Sequence, residues 1–366
     1  MSERINCLDL SKQHKQIKKE VFEVFEKVYD ATAFSGGKFV EEFEKEFAGF
    51  CGTEYALGVN NGTTALHLAL LALGVGEGDE VLLQANTFIA TAWAITYVGA
   101  TPIFVDCTPD TWQIDASLLE KKITHKTKAI IGVHLYGQPF NVDAVKTIAA
   151  KHNLFVVEDA AQAQGAKYKG LRVGGFGDLA CFSFYPGKNL GACGEAGGIS
   201  TNSEEYSTHI QSLRNHGSTV RYQHDEVGYN MRMGGLEAGS LSVKLKYLEE
   251  WNSRRQEIAS MYQKDIRNSK IKIQHQPAWA NSIYHLFVIT TDNRDDLIKY
   301  LNLHNIYPGL HYPIPCHLQK AYANLNYKEG DFPNAEYLAA HCISLPMYAE
   351  LENDSVLRVI DSLNKY

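Results

Sequence analysis

Residues 154–198 read LFVVEDAAQAQGAKYKGLRVGGFGDLACFSFYPGKNLGACGEAGG. Leu154 to Val157 is a short, continuous apolar run, the pattern of a parallel strand covered on both faces, and it ends in Glu158 and Asp159. Ligands of open α/β sheets sit at the carboxyl ends of strands, so polar residues emerging there are site candidates. A second strand-like run, Leu179 to Phe184, leads to Pro186, Gly187 and Lys188. Proline and glycine end that strand and present the lysine from a turn. Taken alone, Lys188 reads as a solvated loop lysine, the usual fate of the residue. Its surroundings change that reading.

Pyridoxal phosphate requires a lysine, an acid at its pyridine nitrogen, a phosphate cradle and a flat group against its ring. Lys188 supplies the first, and Asp159 can keep the ring nitrogen protonated, although a helix cap is an ordinary use for such an aspartate. Gln162, three residues on in an expected helical turn, lies on the same side and can donate to the ring hydroxyl. Ser183, five residues before Lys188, can reach the phosphate. Only the joint pattern is specific.

Working outward, YALGVNNGTTALHLALLAL at 55–73 reads as a short strand, a turn at Asn61-Gly62-Thr63-Thr64 and a nearly all-apolar helix. Gly62 lets the backbone approach an anion, and a helix start favours phosphate through its free N–H groups and its dipole. Thr63 adds a hydroxyl, though an ordinary cap uses threonine too. The glycines of GVGEGD at 74–79 follow a helix and precede a strand, the reverse of a dinucleotide motif.

Further strands are expected at Asp79–Leu83, Thr101–Asp106, Thr127–Val133 and Ile199–Thr201. Helices are expected through Val98, at Ala116–Lys122, at Val142–Lys151 and as one piece from Leu236 to Trp251. Repeated β-α units with apolar strands imply an α/β fold, a mostly parallel sheet flanked by helices. Three regions are expected. An N-terminal helix region occupies 1–30, with Ile17, Val21, Val24, Phe25 and Val28 at helical spacing. A large domain occupies 31–245, opening on the helical stripe Phe39, Phe43, Phe47 and Phe50. A smaller C-terminal α+β domain at 246–366 holds a strand in HLFVIT, a helix from Arg294 to His304 and a last helix at Val356–Leu363. His134 and Tyr136, after a strand end, either line the site or fix the loop.

A formal charge of −7 and a pI near 6.1 leave no footprint for nucleic acid. The N-terminal stretch lacks a signal-peptide core and no run approaches a membrane span, so a cytoplasmic protein is expected. Seven cysteines without a CxxC pair argue against a disulfide framework or zinc site. Cys193 and Cys316 flank candidate blocks and are either reactive or small filler residues. Fourteen histidines show no HxH or HExxH spacing, so no metal is expected.

EDAAQAQGA followed by FSFYPGKNLGACGEAGG resembles the DegT-type sugar aminotransferases, pyridoxal-phosphate enzymes of fold type I that act on nucleotide-linked keto sugars. The resemblance extends over essentially the whole chain, through VNNGTTALHLAL, ANTFIATAWAI, VHLYGQP, LRNHGS, GYNMRM and GLHYPIPCHLQ in family order. Three positions depart from the family habit. Asn61 stands where serine is commoner, Thr64 where an acid or alanine is often found, and Glu195 is followed by Ala196 before Gly197-Gly198.

The resemblance implies a seven-stranded sheet, cofactor stacking by Phe88 and a Ser35-Gly36 turn near the sugar. It also implies a homodimer in which Asn230 reaches the neighbouring subunit's cofactor phosphate. Tyr185, His311, Tyr312 and His317 are implied for the nucleotide-sugar substrate, and L-glutamate for the amino donor. YPIPCHLQ is most like members that aminate C3 of a dTDP-3-keto-6-deoxyhexose, precursors of deoxyamino sugars in surface glycans such as O-antigen or S-layer. A C4 aminotransferase on a UDP- or dTDP-4-keto sugar is the alternative, with a non-catalytic regulatory relative further off. Lys188 argues against the family's dehydratases, which carry histidine there.

Overall fold

The computed structural model describes residues 4–366. Seven strands form the central sheet: β1 (Tyr55–Val59), β2 (Glu80–Gln84), β3 (Thr101–Val105), β4 (Thr127–Val133), β5 (Phe155–Asp159), β6 (Leu179–Ser183) and β7 (Gly197–Thr201). Their spatial order is β1-β7-β6-β5-β4-β2-β3. Only β7 runs against the others, antiparallel to both β1 and β6, so the α/β fold class with a mostly parallel seven-stranded sheet is as expected. The middle strands lie between helical layers, which is why Ile130, Ile131 and Val157 are all buried.

Helix α1 (Ser11–Asp30) buries Ile17, Val21 and Val28, and α2 (Lys38–Cys51) buries Phe43 and Phe47. The Phe47 ring meets those of Phe182 and Phe184 edge-on at 4.9 and 5.1 Å, docking α2 on β6. Helix α3 (Gly62–Ala72) is apolar all round because it is enclosed on every side. It is followed by α4 (Ile89–Tyr97), α5 (Val142–His152) and α6 (Glu204–Arg214).

Three expectations need correction. Ala116–Lys122 is two separate 3-10 turns, because Asp115 accepts from both the N–H and the hydroxyl of Ser117 and closes a single tight turn. The helix expected from Leu236 to Trp251 is two helices, α7 (Gly235–Leu245) and α8 (Leu248–Asp265). The break falls where Tyr247 N–H donates back to Lys244 and its hydroxyl, 2.5 Å from Glu20, is held by α1. Residues 213–218 are not all loop, since Leu213 and Arg214 end α6.

A second core collects Ile258, Tyr262, Phe287, Ile289, Ile343 and Val359. Strand β8 (Phe287–Thr290) pairs antiparallel with β9 (Cys342–Leu345) there. Around them lie α9 (Arg294–Leu303), α10 (Pro333–His341) and α11 (Asn353–Lys365). Among the described residues no helix is long and apolar enough to cross a membrane.

Truncating Phe47 removes the ring that joins α2 to β6. Phe47→Ala should cost about 3 to 5 kcal/mol, read as a lower urea midpoint at unchanged slope. A midpoint near the wild-type value would contradict this packing.

Candidate active site

The carboxyl ends of β2 and β5 and the turn after β6 open into one cavity of about 890 Å³. β5 and β6 are neighbours in register, with Asp159 opposite Cys181, so the acid and the lysine that follows β6 emerge side by side. Asp159 is buried. Its Oδ2 accepts from the Thr91 hydroxyl at 2.7 Å and its Oδ1 from the Ala161 N–H at 3.1 Å. Burial raises its pKa, while those two donors and the Lys188 charge partly offset the rise.

Lys188 leaves a tight turn, its N–H donating to the Tyr185 carbonyl at 2.8 Å, and faces the cavity. Burial lowers its ammonium from 10.5 to about 8, against the opposing pull of Asp159. A lysine in this state has a substantial neutral fraction just above physiological pH, as carbonyl chemistry requires.

Gly62, Thr63 and Ser183 line the same cavity. A Cβ on Gly62 would lie 2.6 Å from the Ser183 Cβ, and one on Gly197 would lie 2.4 Å from the Asn61 carbonyl. Glycine is therefore required where β6, β7 and the start of α3 meet. Asn61 caps α3 by accepting from the Thr64 N–H at 2.9 Å, and the helix start offers its remaining amides to an anion. Phe88 is 48% exposed on the cavity wall, with its ring 5.4 Å from that of Tyr312.

Gln162 lies in the turn that follows β5. Its Oε1 accepts from the Tyr136 N–H at 2.7 Å, and its Nε2 donates to the Tyr312 hydroxyl at 3.0 Å. The Tyr136 hydroxyl donates to the His311 carbonyl at 2.5 Å, so the loop bearing His311 and Tyr312 is tied down over the cavity. Burial, then the Lys188 charge, holds His311 down to about 4, so this imidazole is neutral. Tyr185 is 53% exposed and lines the cavity as well.

His317 is not brought to the cavity. It is 2% exposed, its ring sits 4.6 Å from that of Phe332, and its Nε2 is 3.0 Å from Glu336. The loop turns inward at Cys316 and spends this histidine on anchoring itself. Asn230 is exposed and lies outside the cavity of its own chain, beside Asn215. His134 fixes the loop: its Nε2 is 3.0 Å from the buried Glu158 carboxylate, which also accepts from the N–H groups of Gly174, Phe176 and Gly177. Cys316 is buried against the Thr87 carbonyl, whereas Cys193 is exposed.

Sequence reading missed Thr91 and His285. Thr91 stands four residues after Thr87 in an apolar helix start, a spacing that aligns the two hydroxyls. His285 lines the cavity, and burial, then the Lys188 charge, lowers its pKa well below the ordinary value. No local pattern marks it.

A neutralisable lysine beside a buried acid, a glycine-bound anion cradle and a half-exposed aromatic ring together fit pyridoxal phosphate. On a seven-stranded sheet with one reversed strand they define an aminotransferase of fold type I. Residues 15–364 match the family described as the DegT/DnrJ/EryC1/StrS aminotransferase family, and the chain belongs to it.

It is 40% identical over 364 residues, 99% of its length and 96% of the relative's, to the dTDP-3-amino-3,4,6-trideoxy-alpha-D-glucose transaminase of Streptomyces venezuelae. It is 42% identical over 362 residues, 99% of each chain, to the dTDP-3-amino-3,6-dideoxy-alpha-D-galactopyranose transaminase of Aneurinibacillus thermoaerophilus. Identity is 41% over 365 residues, 99% of this chain and 98% of the other, to a pleiotropic regulatory protein of Geobacillus stearothermophilus.

S. venezuelae DesV, solved in complex with a ketimine intermediate, superposes with a TM-score of 0.98 at 40% identity, covering 100% of this chain and 98% of that one. The pyridoxal-phosphate form of the putative sugar aminotransferase Spr1654 from Streptococcus pneumoniae gives 0.90 at 27% identity, covering 100% and 98%. The chain is a pyridoxal-phosphate-dependent aminotransferase.

Folding disfavours the ammonium form of Lys188. Between about 8 and 10.5 the unfolded chain binds this proton and the folded chain does not, so the group's contribution to stability rises with pH across that window. The Tm of cofactor-free wild type should climb relative to Lys188→Met over the same range. A flat difference would remove the buried-lysine reading.

Proposed function

We propose that this enzyme moves an amino group from L-glutamate to the C3 carbonyl of a dTDP-3-keto-6-deoxyhexose, giving the dTDP-3-amino-3,6-dideoxyhexose and 2-oxoglutarate. The observation that carries the reading is Lys188 beside Asp159 in a cavity roofed by His311 and Tyr312. The two relatives named as dTDP-3-amino-sugar transaminases support the choice of sugar.

When bound, pyridoxal phosphate supplies the electron sink that makes a proton on the amine-bearing carbon removable. In this reading Gly62, Thr63 and Ser183 hold its phosphate, Phe88 lies against its ring, and Gln162 donates to the ring hydroxyl. Asp159, ionised, accepts from the ring nitrogen. Lys188 in its neutral form takes the proton from the donor carbon and returns it, a transfer suited to a pKa of about 8. Neutral His311 offers a polar contact to the sugar without adding charge beside Lys188, and Tyr312 and Tyr185 offer aromatic ones.

The active unit in this proposal is a cytoplasmic homodimer, with Asn230 reaching the neighbouring subunit's phosphate. The exposed position of Asn230 supports that arrangement. The chain divides into 1–30, 31–245 and 246–366, and the break between α7 and α8 supports the second boundary.

The relative named as a regulatory protein makes the catalytic test decisive. L-glutamate should bleach the visible band of the bound cofactor, and a C3-keto dTDP sugar should restore it. Restoration by a C4-keto UDP sugar instead would overturn the substrate. Lys188→Ala should lower turnover by about 10²- to 10⁴-fold, and undiminished turnover would overturn the mechanism.

A further inference from the structure

Thr91 is 1% exposed in the first turn of α4, and its side chain does something unusual for a helical threonine. Such a hydroxyl ordinarily bonds back to the carbonyl four residues earlier, as Thr96 does to Ala92 at 3.3 Å. For Thr91 that carbonyl belongs to Thr87, and it accepts the Cys316 thiol at 3.3 Å instead. The Thr91 hydroxyl points across to the Asp159 Oδ2 at 2.7 Å.

The hydroxyls of Thr87 and Thr91 lie 3.0 Å apart. A hydroxyl carries one proton and can donate once. With Asp159 ionised, the Thr91 proton is committed to the carboxylate, so Thr87 donates to Thr91. The three side chains form a directed line: Thr87 to Thr91 to Asp159. All three lie on the cavity wall and are buried. The turn bearing Thr87 is itself fixed by the Cys316 N–H, which donates to the Ala85 carbonyl at 2.9 Å.

We propose that Thr87 and Thr91 form a hydroxyl relay that keeps the Asp159 carboxylate ionised and aimed at the cofactor's ring nitrogen, with Thr91 as its positioning residue. The inference rests on Asp159 being the partner of that nitrogen. Burial alone drives an aspartate toward its neutral form, and a neutral acid cannot hold the ring nitrogen protonated. Thr91 and the Ala161 N–H are the two neutral donors that favour the anion. Thr91 occupies Oδ2 and Ala161 Oδ1, so the carboxylate plane is fixed from both sides while each oxygen keeps a lone pair.

The test compares the affinity of the cofactor-free protein for pyridoxal phosphate, followed by quenching of tryptophan fluorescence, with Trp93 on the cavity wall as reporter. Hydrogen bonds to charged groups are strong, so Thr91→Val should weaken binding by about 10- to 100-fold. Thr91→Ser, which keeps the hydroxyl, should stay within about threefold, and Thr87→Val should weaken binding by less than Thr91→Val. Competition by inorganic phosphate, which reads the cradle alone, should be unchanged in all three.

Circular dichroism verifies folding, and Thr91→Ala replaces Thr91→Val should the valine not be accommodated. Equal affinity for Thr91→Val and Thr91→Ser, with Asp159→Asn still weakened, would overturn the relay. If Asp159→Asn binds like wild type, the assignment of Asp159 fails and the relay with it.

Discussion

Holding a carboxyl group beside a neutralisable amine, both out of water, is the constraint on which the site depends. Asp159 and Lys188 emerge together only because β5 and β6 are parallel neighbours whose carboxyl ends open on the same edge of the sheet. Burial acts on the two groups in opposite directions, raising the acid and lowering the amine. Their mutual attraction offsets both shifts in part. A further acid near Lys188 would return its pKa toward that of a surface lysine and remove the free amine. Support for Asp159 therefore comes from neutral donors, Thr91 and a backbone N–H, and the two histidines that face the lysine, His285 and His311, are kept uncharged.

The loops around this pair are held by buried polar groups whose partners are distant in sequence. Glu158 gathers three backbone N–H groups from 174–177 and the His134 ring. Burial raises its pKa, but those bonds outweigh it and keep the carboxyl below the usual range. Arg255 bonds the carbonyls of Tyr284, His285 and Met347, and so carries two cavity-wall residues, His285 and Met347, on one guanidinium. Gln162 joins Tyr136 to Tyr312. Removing one partner of a buried charged group costs roughly 3 to 5 kcal/mol, so substitutions that break the bonds of Glu158 or Arg255 reach the site without touching a ligand.

This division explains what could be read in the sequence. A buried parallel strand announces itself as an unbroken apolar run, and Phe155–Asp159, Thr127–Val133 and Leu179–Ser183 lie within a residue or so of where those runs placed them. Asp159 and Gly62 were candidates because each stands at a strand or helix end, where backbone geometry concentrates ligands, whereas Lys188, in a turn, was singled out only by the joint pattern. Thr91 was not, since a threonine in an apolar helix start looks like packing until Asp159, 68 residues away, is seen beside it. The break between α7 and α8 carries no proline or glycine. It depends on Tyr247 meeting Glu20 across 227 positions, and no local pattern encodes that.

His311 and His317 show the same limit within one loop. Both belong to GLHYPIPCHLQ, a proline-rich stretch from which the family resemblance implied both for the substrate. The first half lies over the cavity, with His311 held by Ser344 at 2.8 Å and Tyr312 by Gln162. The second half turns into the core, where Cys316 bonds Ala85 and Thr87, and His317 meets Glu336 among Phe104, Tyr327 and Phe332. Glu336 lies in the first turn of α10, whose opening amides are capped by Asp106 at the end of β3. The two halves of one segment thus have different surroundings, cavity and core. His311 and Tyr312 face the cavity, while the contacts at 316 and 317 help to hold the loop over the lysine.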